Sequence, residues 1–278
     1  MNWNPMLKLS SLALAFALFV SACAGPKVAT DDILAWRARE GVARPEAQRG
    51  ERNAELEQVR TLRAADELAE ARKLALALAA ERPDDSEILL AASRAESDQV
   101  FLLPEDDKEA RNLAASSAHE FAGAAFQRGG QGPQFDAQLA WTLGTTTHLQ
   151  PMGERATHAR QTLEVAERTL VQDADNATAL ATIALVNLRL ETLPWIASLM
   201  ASGLPESSLA KAEDSARKAV KSVPSRENRL ILAKVLVAAE RKADARAELE
   251  SAFAAAPQHP RDHALEPQLR ALLKELRD

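Results

Sequence analysis

Beyond Glu51 the chain is a succession of stretches in which apolar residues return every three or four positions. Ala71, Ala75 and Leu78 form one such stripe, Leu232, Ala233 and Leu236 another, and Ala245, Leu249 and Ala252 a third. That spacing follows the 3.6-residue period of a helix, not the strict alternation of a half-buried strand. Short breaks divide the stretches at residues 82–85, 103–107, 129–133, 150–153, 173–176, 194–205, 223–225 and 256–262. Pro cannot continue a helix, whereas Asp and Ser accept hydrogen bonds from the first free N–H groups of the next one. The pattern predicts roughly ten or eleven helices, mostly of about 12–22 residues. They pair into five irregular hairpins at about 51–82, 86–128, 135–172, 176–222 and 226–256, closed by a helix at about 262–277. The expected fold class is all-α.

Composition supports this. The 278 residues are 46% hydrophobic and 27% charged, which suits a folded domain with a core and excludes collagen, a disordered tail or a polytopic membrane protein. Aromatic content is only 4%, Tyr is absent, and Ala, Leu, Glu and Arg dominate the long runs, as strong helix formers do. A net charge of −6 argues against nucleic acid as a partner.

The N-terminus reads differently. Lys8 precedes a 12-residue apolar run, residues 9–20, too short to span a bilayer about 30 Å thick. The run ends in Val20-Ser21-Ala22-Cys23. This resembles the lipobox of bacterial lipoproteins, in which the leader is removed and the Cys takes lipid. Residues 1–22 are therefore expected to be a signal peptide, Cys23 the lipidated residue and residues 23–50 a tether. Cys23 is the only Cys, so no intramolecular disulfide is possible and lipidation gives the lone thiol a role. Ala24 stands where Asp favours inner-membrane retention in such lipoproteins; the resemblance implies the outer membrane, periplasmic face.

The stripes also repeat. Ala212, Ala216, Ala219 and Pro224 superimpose on Ala245, Leu249, Ala252 and Pro257 at an offset of 33 residues (224 to 257). Ala71, Ala75, Leu78 and Pro83 repeat the pattern, and Thr162, Ala166 and Thr169 keep it without the Pro. A complementary pattern occurs at Ala140, Leu143 and Gly144, at Leu180, Ala181 and Ala184, and at Leu232, Ala233 and Leu236. Together these resemble the second and first helices of tetratricopeptide (TPR) repeats, where small residues let paired helices approach and Pro ends the second. The resemblance implies a solenoid over residues 51–278 with a C-terminal capping helix. Combined with the lipobox, the chain is similar to TPR-like lipoproteins such as the T component of TRAP (tripartite ATP-independent periplasmic) transporters. Its C-terminal third resembles TPR-like regulators of microtubule dynamics.

Catalytic motifs find little support. His119-Glu120 opens like a zinc-protease signature, but Gly123 occupies the second His position. His259 and His263 are four apart with Pro260 between them. Asp84-Asp85 and Asp106-Asp107 sit at helix starts, where capping accounts for them. No enzyme activity, metal or cofactor is expected. Two segments stand out. Residues 194–205 carry no charge, yet contain Trp195, Ile196, Leu199 and Met200 where a polar loop belongs. Residues 141–148, from Trp141 to His148, put a run of Thr inside a helix, either with hydroxyls bonded back to the helix or as the polar face of a groove.

These six residues are the candidate binding positions. The expected function is a lipid-anchored, non-catalytic interaction scaffold in the bacterial envelope. Its partners would be the membrane, through Cys23, and an envelope protein such as a periplasmic solute-binding protein. The alternative is a periplasmic carrier holding a small or apolar ligand in the helical stack, marked by a deep pocket lined by Trp141, Trp195, Ile196 and Met200.

Overall fold

Asp and Ser residues in the breaks start helices as capping chemistry requires. Asp85 accepts hydrogen bonds from the N–H groups of Glu87 and Ile88, Asp107 from Ala110, Asn176 from Ala179, Ser208 from Lys211 and Ser225 from Asn228. The computed structural model describes residues 46–194, 203–257 and 259–277, with side chains from Asn53 onward. All of them belong to the second of two units, Arg39–Asp278. Residues 1–45, including Cys23, and Trp195, Ile196, Leu199 and Met200 lie outside the described residues.

Eleven α-helices and no strands occur among the described residues. They are α1 Glu46–Ala64, α2 Leu68–Glu81, α3 Ser86–Leu102, α4 Lys108–Gln127, α5 Pro133–Thr146, α6 Arg155–Gln172, α7 Ala177–Glu191, α8 Leu209–Ser222, α9 Arg226–Ala238, α10 Lys242–Ala254 and α11 Glu266–Glu275. Each helix packs on the next, and the odd-numbered helices α1, α3, α5, α7 and α9 also pack on one another in sequence. This is a solenoid of five hairpins, with α11 against α10 as the closing helix. The hairpin order matches the expected one. α1 starts at Glu46, inside the stretch read as tether, since Glu46, Ala47 and Gln48 favour helix once Pro45 is passed.

The small-residue stripes lie where hairpins close. Ala71, Ala75, Thr162, Ala166, Thr169, Ala212, Ala216, Ala245, Leu249 and Ala252 have no exposed surface. Gly144 serves the same close approach: a Cβ there would press on the Thr162 methyl at 3.3 Å and meet that of Thr182 at 3.8 Å, an ordinary contact. Polar pins set the register between hairpins. Gln138 on α5 donates to Ser93 and Ser97 on α3, both at 2.9 Å, and Ser93 donates to the Ala118 carbonyl on α4 at 2.7 Å. Asp136 on α5 is buried and held by both guanidinium arms of Arg168 on α6, at 3.0 and 3.2 Å.

Candidate functional site

The odd-numbered helices form the inner layer, and a groove of about 550 Å³ opens along it. Its walls come from α3, α4, α5, α7, α9 and α11, so one recess collects side chains from four hairpins and the cap. Phe101, Trp141, Leu185, Leu230 and Ile231 provide its apolar surface.

One end is closed by the protein's own C-terminal turn. Arg261 is buried, with its guanidinium carbon 4.8 Å from the Phe101 ring centroid and 4.9 Å from that of Trp141. It pairs with Glu227 at 2.9 Å and lies 3.6 Å from Asp98, which Arg63 of α1 reaches at 2.7 Å. Residues from α1, α3, α5 and α9 thus converge on one turn. Burial raises the Glu227 pKa, and the Arg261 charge works against that rise. The His259 Nδ1 accepts from the Arg261 backbone N–H at 3.3 Å, which places the ring proton on Nε2. Burial, then the nearby Arg261, Arg63 and Arg94 charges, push His259 down to about 2. It is therefore uncharged, and its 4.0 Å approach to Glu227 is not an ion pair.

The other end is cationic. Lys108 and Arg111 reach it from α4, Arg189 from α7 and Lys234 from α9. None of the four has a carboxylate partner among the described residues. Arg189 donates to the Gly144 carbonyl at 2.9 Å. Surrounding protein lowers the pKa of both Arg189 and Lys234, and the Arg189 and Arg111 charges lower Lys234 further. Both side chains keep solvent-accessible surface. Glu105, at the rim, and Glu227 act in the opposite direction on Lys234.

A family model described as regulator of microtubule dynamics protein 1-3 matches residues 55–277, from within α1 to just beyond α11. The chain belongs to this family. The likeness runs through all five hairpins, so the sequence reading that confined it to the C-terminal third was too narrow. Family membership was hard to see in the N-terminal hairpins because their stripes lack the large aromatics and regular spacing of standard repeats. Among solved structures, the chain is similar to a thermophilic TPR protein of Thermus thermophilus. The TM-score is 0.55 and the identity 19%, over 80% of this chain and 98% of that one. This likeness shows the TPR-like fold. No curated protein matches the chain.

Within this family member the predicted positions are distributed unevenly. Trp141 and His148 both line the groove. Trp141 is buried beneath Arg261, while His148 is exposed on the short 3₁₀ turn after α5 and meets the Asn112 Oδ1 at 2.9 Å. The Thr run bonds back onto its own helix: Thr142 to the Leu139 carbonyl, Thr145 and Thr146 to that of Thr142, and Thr147 to that of Leu143. Thr145 also lines the groove.

A second, smaller cavity of about 240 Å³ lies beside the first. Val186, Leu190, Leu193 and Leu204 give it an apolar lining, with Arg155, Arg189 and His148 at its polar side. The stretch leading into α8 is fastened at two points. Arg160 donates to the Gly203 carbonyl at 2.5 Å, and the buried Asn187 accepts from the Ser208 N–H at 3.3 Å.

The sequence reading missed Arg111, Arg189, Lys234 and Arg261. A signal existed for two of them: Arg189 is the one cation of α7, and Lys234 interrupts the apolar second half of α9. His158 faces His119 at 6.4 Å between ring centroids, and no cluster able to hold a metal occurs among the described residues.

Proposed function

We propose that this protein is a lipid-anchored, non-catalytic interaction scaffold of the bacterial envelope, displayed on the periplasmic face of the outer membrane. Its recognition face is the inner groove. The observation that carries the reading is the convergence of four hairpins and the cap on one open recess of about 550 Å³. Repeat solenoids use such extended inner surfaces to hold partners, and a TPR-like fold supports this role. The lipobox at Cys23 supplies the anchor, and resemblance to transporter-associated lipoproteins points to a periplasmic solute-binding protein as the partner. A photocrosslinking residue placed at Thr145 or Gln268 in the groove should capture a specific envelope protein. The same residue at the outer position Lys218 should not. Capture from Lys218 alone would remove the groove from the proposal. Fatty-acid labelling that is lost in Cys23→Ala tests the anchor, and an unlabelled wild type would overturn it.

A second reading rests on the smaller cavity. Its four aliphatic residues beside Arg155 and Arg189 suit an amphipathic ligand with one anionic end. In that case the protein is a carrier. Native mass spectrometry of the purified protein should show a retained small molecule that Leu190→Trp expels.

A further inference from the structure

Four cations that face one groove without carboxylate partners call for an anion. We infer that the cationic end of the inner groove binds an extended acidic peptide segment of a partner protein. The inference rests on the groove being the recognition face, and it adds the chemistry of what is recognised.

Lys108, Arg111, Arg189 and Lys234 come from two separate parts of the solenoid, α4 on one side and α7 and α9 on the other, so the fold and not local sequence assembles the charge. The four repel one another: Arg189 and Arg111 both act to drive the proton from Lys234, Glu105 and the already paired Glu227 oppose them, and among the described residues Glu105 is the one groove carboxylate without a paired cation, one against four. The chain as a whole is acidic, with a net charge of −6, so this recess is an exception to the surrounding field and steers acidic segments toward itself. At the opposite end, the carboxylates of Asp98 and Glu227 are already paired with the protein's own Arg63 and Arg261. The protein therefore fills its own anionic end and leaves the cationic one open.

The form of the ligand follows from the shape. Leu185 and Ile231 line the same groove one turn before Arg189 and Lys234 on their helices and offer apolar contact to side chains between the carboxylates of a peptide. The groove runs across successive inner helices, which suits a chain more than a compact small anion. A bilayer is flat on this scale, and lipid headgroups do not follow a recess between helices.

The test uses fluorescence anisotropy with a fluorescein-labelled peptide, Gly-Glu-Leu-Glu-Glu-Leu-Glu-Gly, and its counterpart with Gln in place of every Glu. The purified full chain should bind the acidic peptide, weaken steeply with salt, and ignore the Gln peptide. The Arg189→Gln/Lys234→Gln double variant should bind at least about tenfold more weakly with an unchanged helical circular dichroism spectrum, and Lys218→Gln should bind like the wild type. Equal binding of the two peptides, or full binding by the double variant, overturns the inference. So does an outcome in which only vesicles containing phosphatidic acid bind and the double variant loses them. If groove crosslinks to an envelope protein persist in the double variant, the scaffold reading stands and the acidic-peptide inference falls; if the crosslinks are absent while the peptide binds, the reverse holds.

Discussion

The guanidinium carbon of Arg261 lies 4.9 Å from the ring centroid of Trp141, placing a residue of the C-terminal turn against the inner face of the third hairpin. Arg261 is buried, and its charge is balanced by Glu227 and Asp98. Removing one partner of a buried ion pair leaves the other uncompensated in a low-dielectric site. Arg261→Met should therefore cost about 3–5 kcal/mol in a urea titration. Adding Glu227→Gln should recover a substantial part of that loss, because the stranded carboxylate is gone. If Arg261→Met were as stable as the wild type, the turn would not be held by this charge.

Two hairpin turns share a feature in residues of unlike tolerance. α1 and α9 are each followed by a residue with positive φ, Asp66 at 64° and Glu240 at 61°. In both, the next N–H reaches back to a carbonyl five residues earlier, Glu67 to Leu62 and Arg241 to Leu236. This helix ending usually uses Gly, because a Cβ is disfavoured in the left-handed region. Glu240→Gly should raise stability by about 0.5–1 kcal/mol, the relief of that strain exceeding the entropy cost of Gly. Asp66→Gly should give less, since Asp tolerates the conformation better than Glu. The denaturation midpoints of the two variants check the order.

The solenoid was legible because its packing rule is local. Wherever Ala, Thr or Gly recurred at helical spacing, a neighbouring helix lies close against it, as at Ala245 and Ala252. α4 was harder to align because its buried Ala114, Ala118, Ala122 and Ala125 end in Gly129-Gly130, with no Pro to mark the repeat. A Cβ on Gly130 would lie 2.3 Å from the Phe135 ring and 2.8 Å from the Ala125 carbonyl, so this turn needs Gly for close approach. The groove was not legible for a different reason. Arg111, Arg189 and Lys234 are far apart in sequence, and only the stacking of inner helices brings them together. Arg261 sits between Pro260 and Asp262 in what reads as a polar break, with nothing in the local pattern to announce its burial.

The register of the last hairpin can be tested at two neighbouring positions. Ala252 has no exposed surface, so Ala252→Leu must force methylenes into a closed contact and should cost about 1–3 kcal/mol. Glu248, which the sequence marks as exposed, is a poor control: it is half-buried and pairs with Arg229 at 2.8 Å. Ala247 is exposed, and Ala247→Leu should change stability by less than about 0.5 kcal/mol. Thermal melting of both variants decides the matter, and equal melting would place the packed face elsewhere on α10.

Acid sensitivity follows from two histidines held neutral. His259 is pushed down to about 2 and His119 to about 4, in each case first by burial. Thr142 donates its hydroxyl proton to the Leu139 carbonyl, so His119 donates from Nδ1 to the Thr142 oxygen, 3.2 Å away. The unfolded chain takes up a proton on each ring near the ordinary histidine pKa of about 6.5, while the folded protein does not. The unfolded state thus binds more protons between that value and the folded ones, and stability must fall as pH drops through the window. Each fully linked histidine contributes a slope of about 1.4 kcal/mol per pH unit. The raised pKa of Glu227 acts in the opposite direction: the folded carboxyl takes up its proton at a higher pH than the unfolded one, so it adds stability as pH falls through its folded value. His148 and His158, also lowered first by burial, add to the histidine effect, so the contribution of His259 is read as the difference between wild type and variant in urea midpoints measured from pH 7 to 5. The wild type should lose stability steadily across that range, and His259→Gln, which keeps an acceptor for the Arg261 N–H, should flatten the curve by one proton. A slope that is the same in His259→Gln as in the wild type would mean that the His259 ring charges freely in the folded protein.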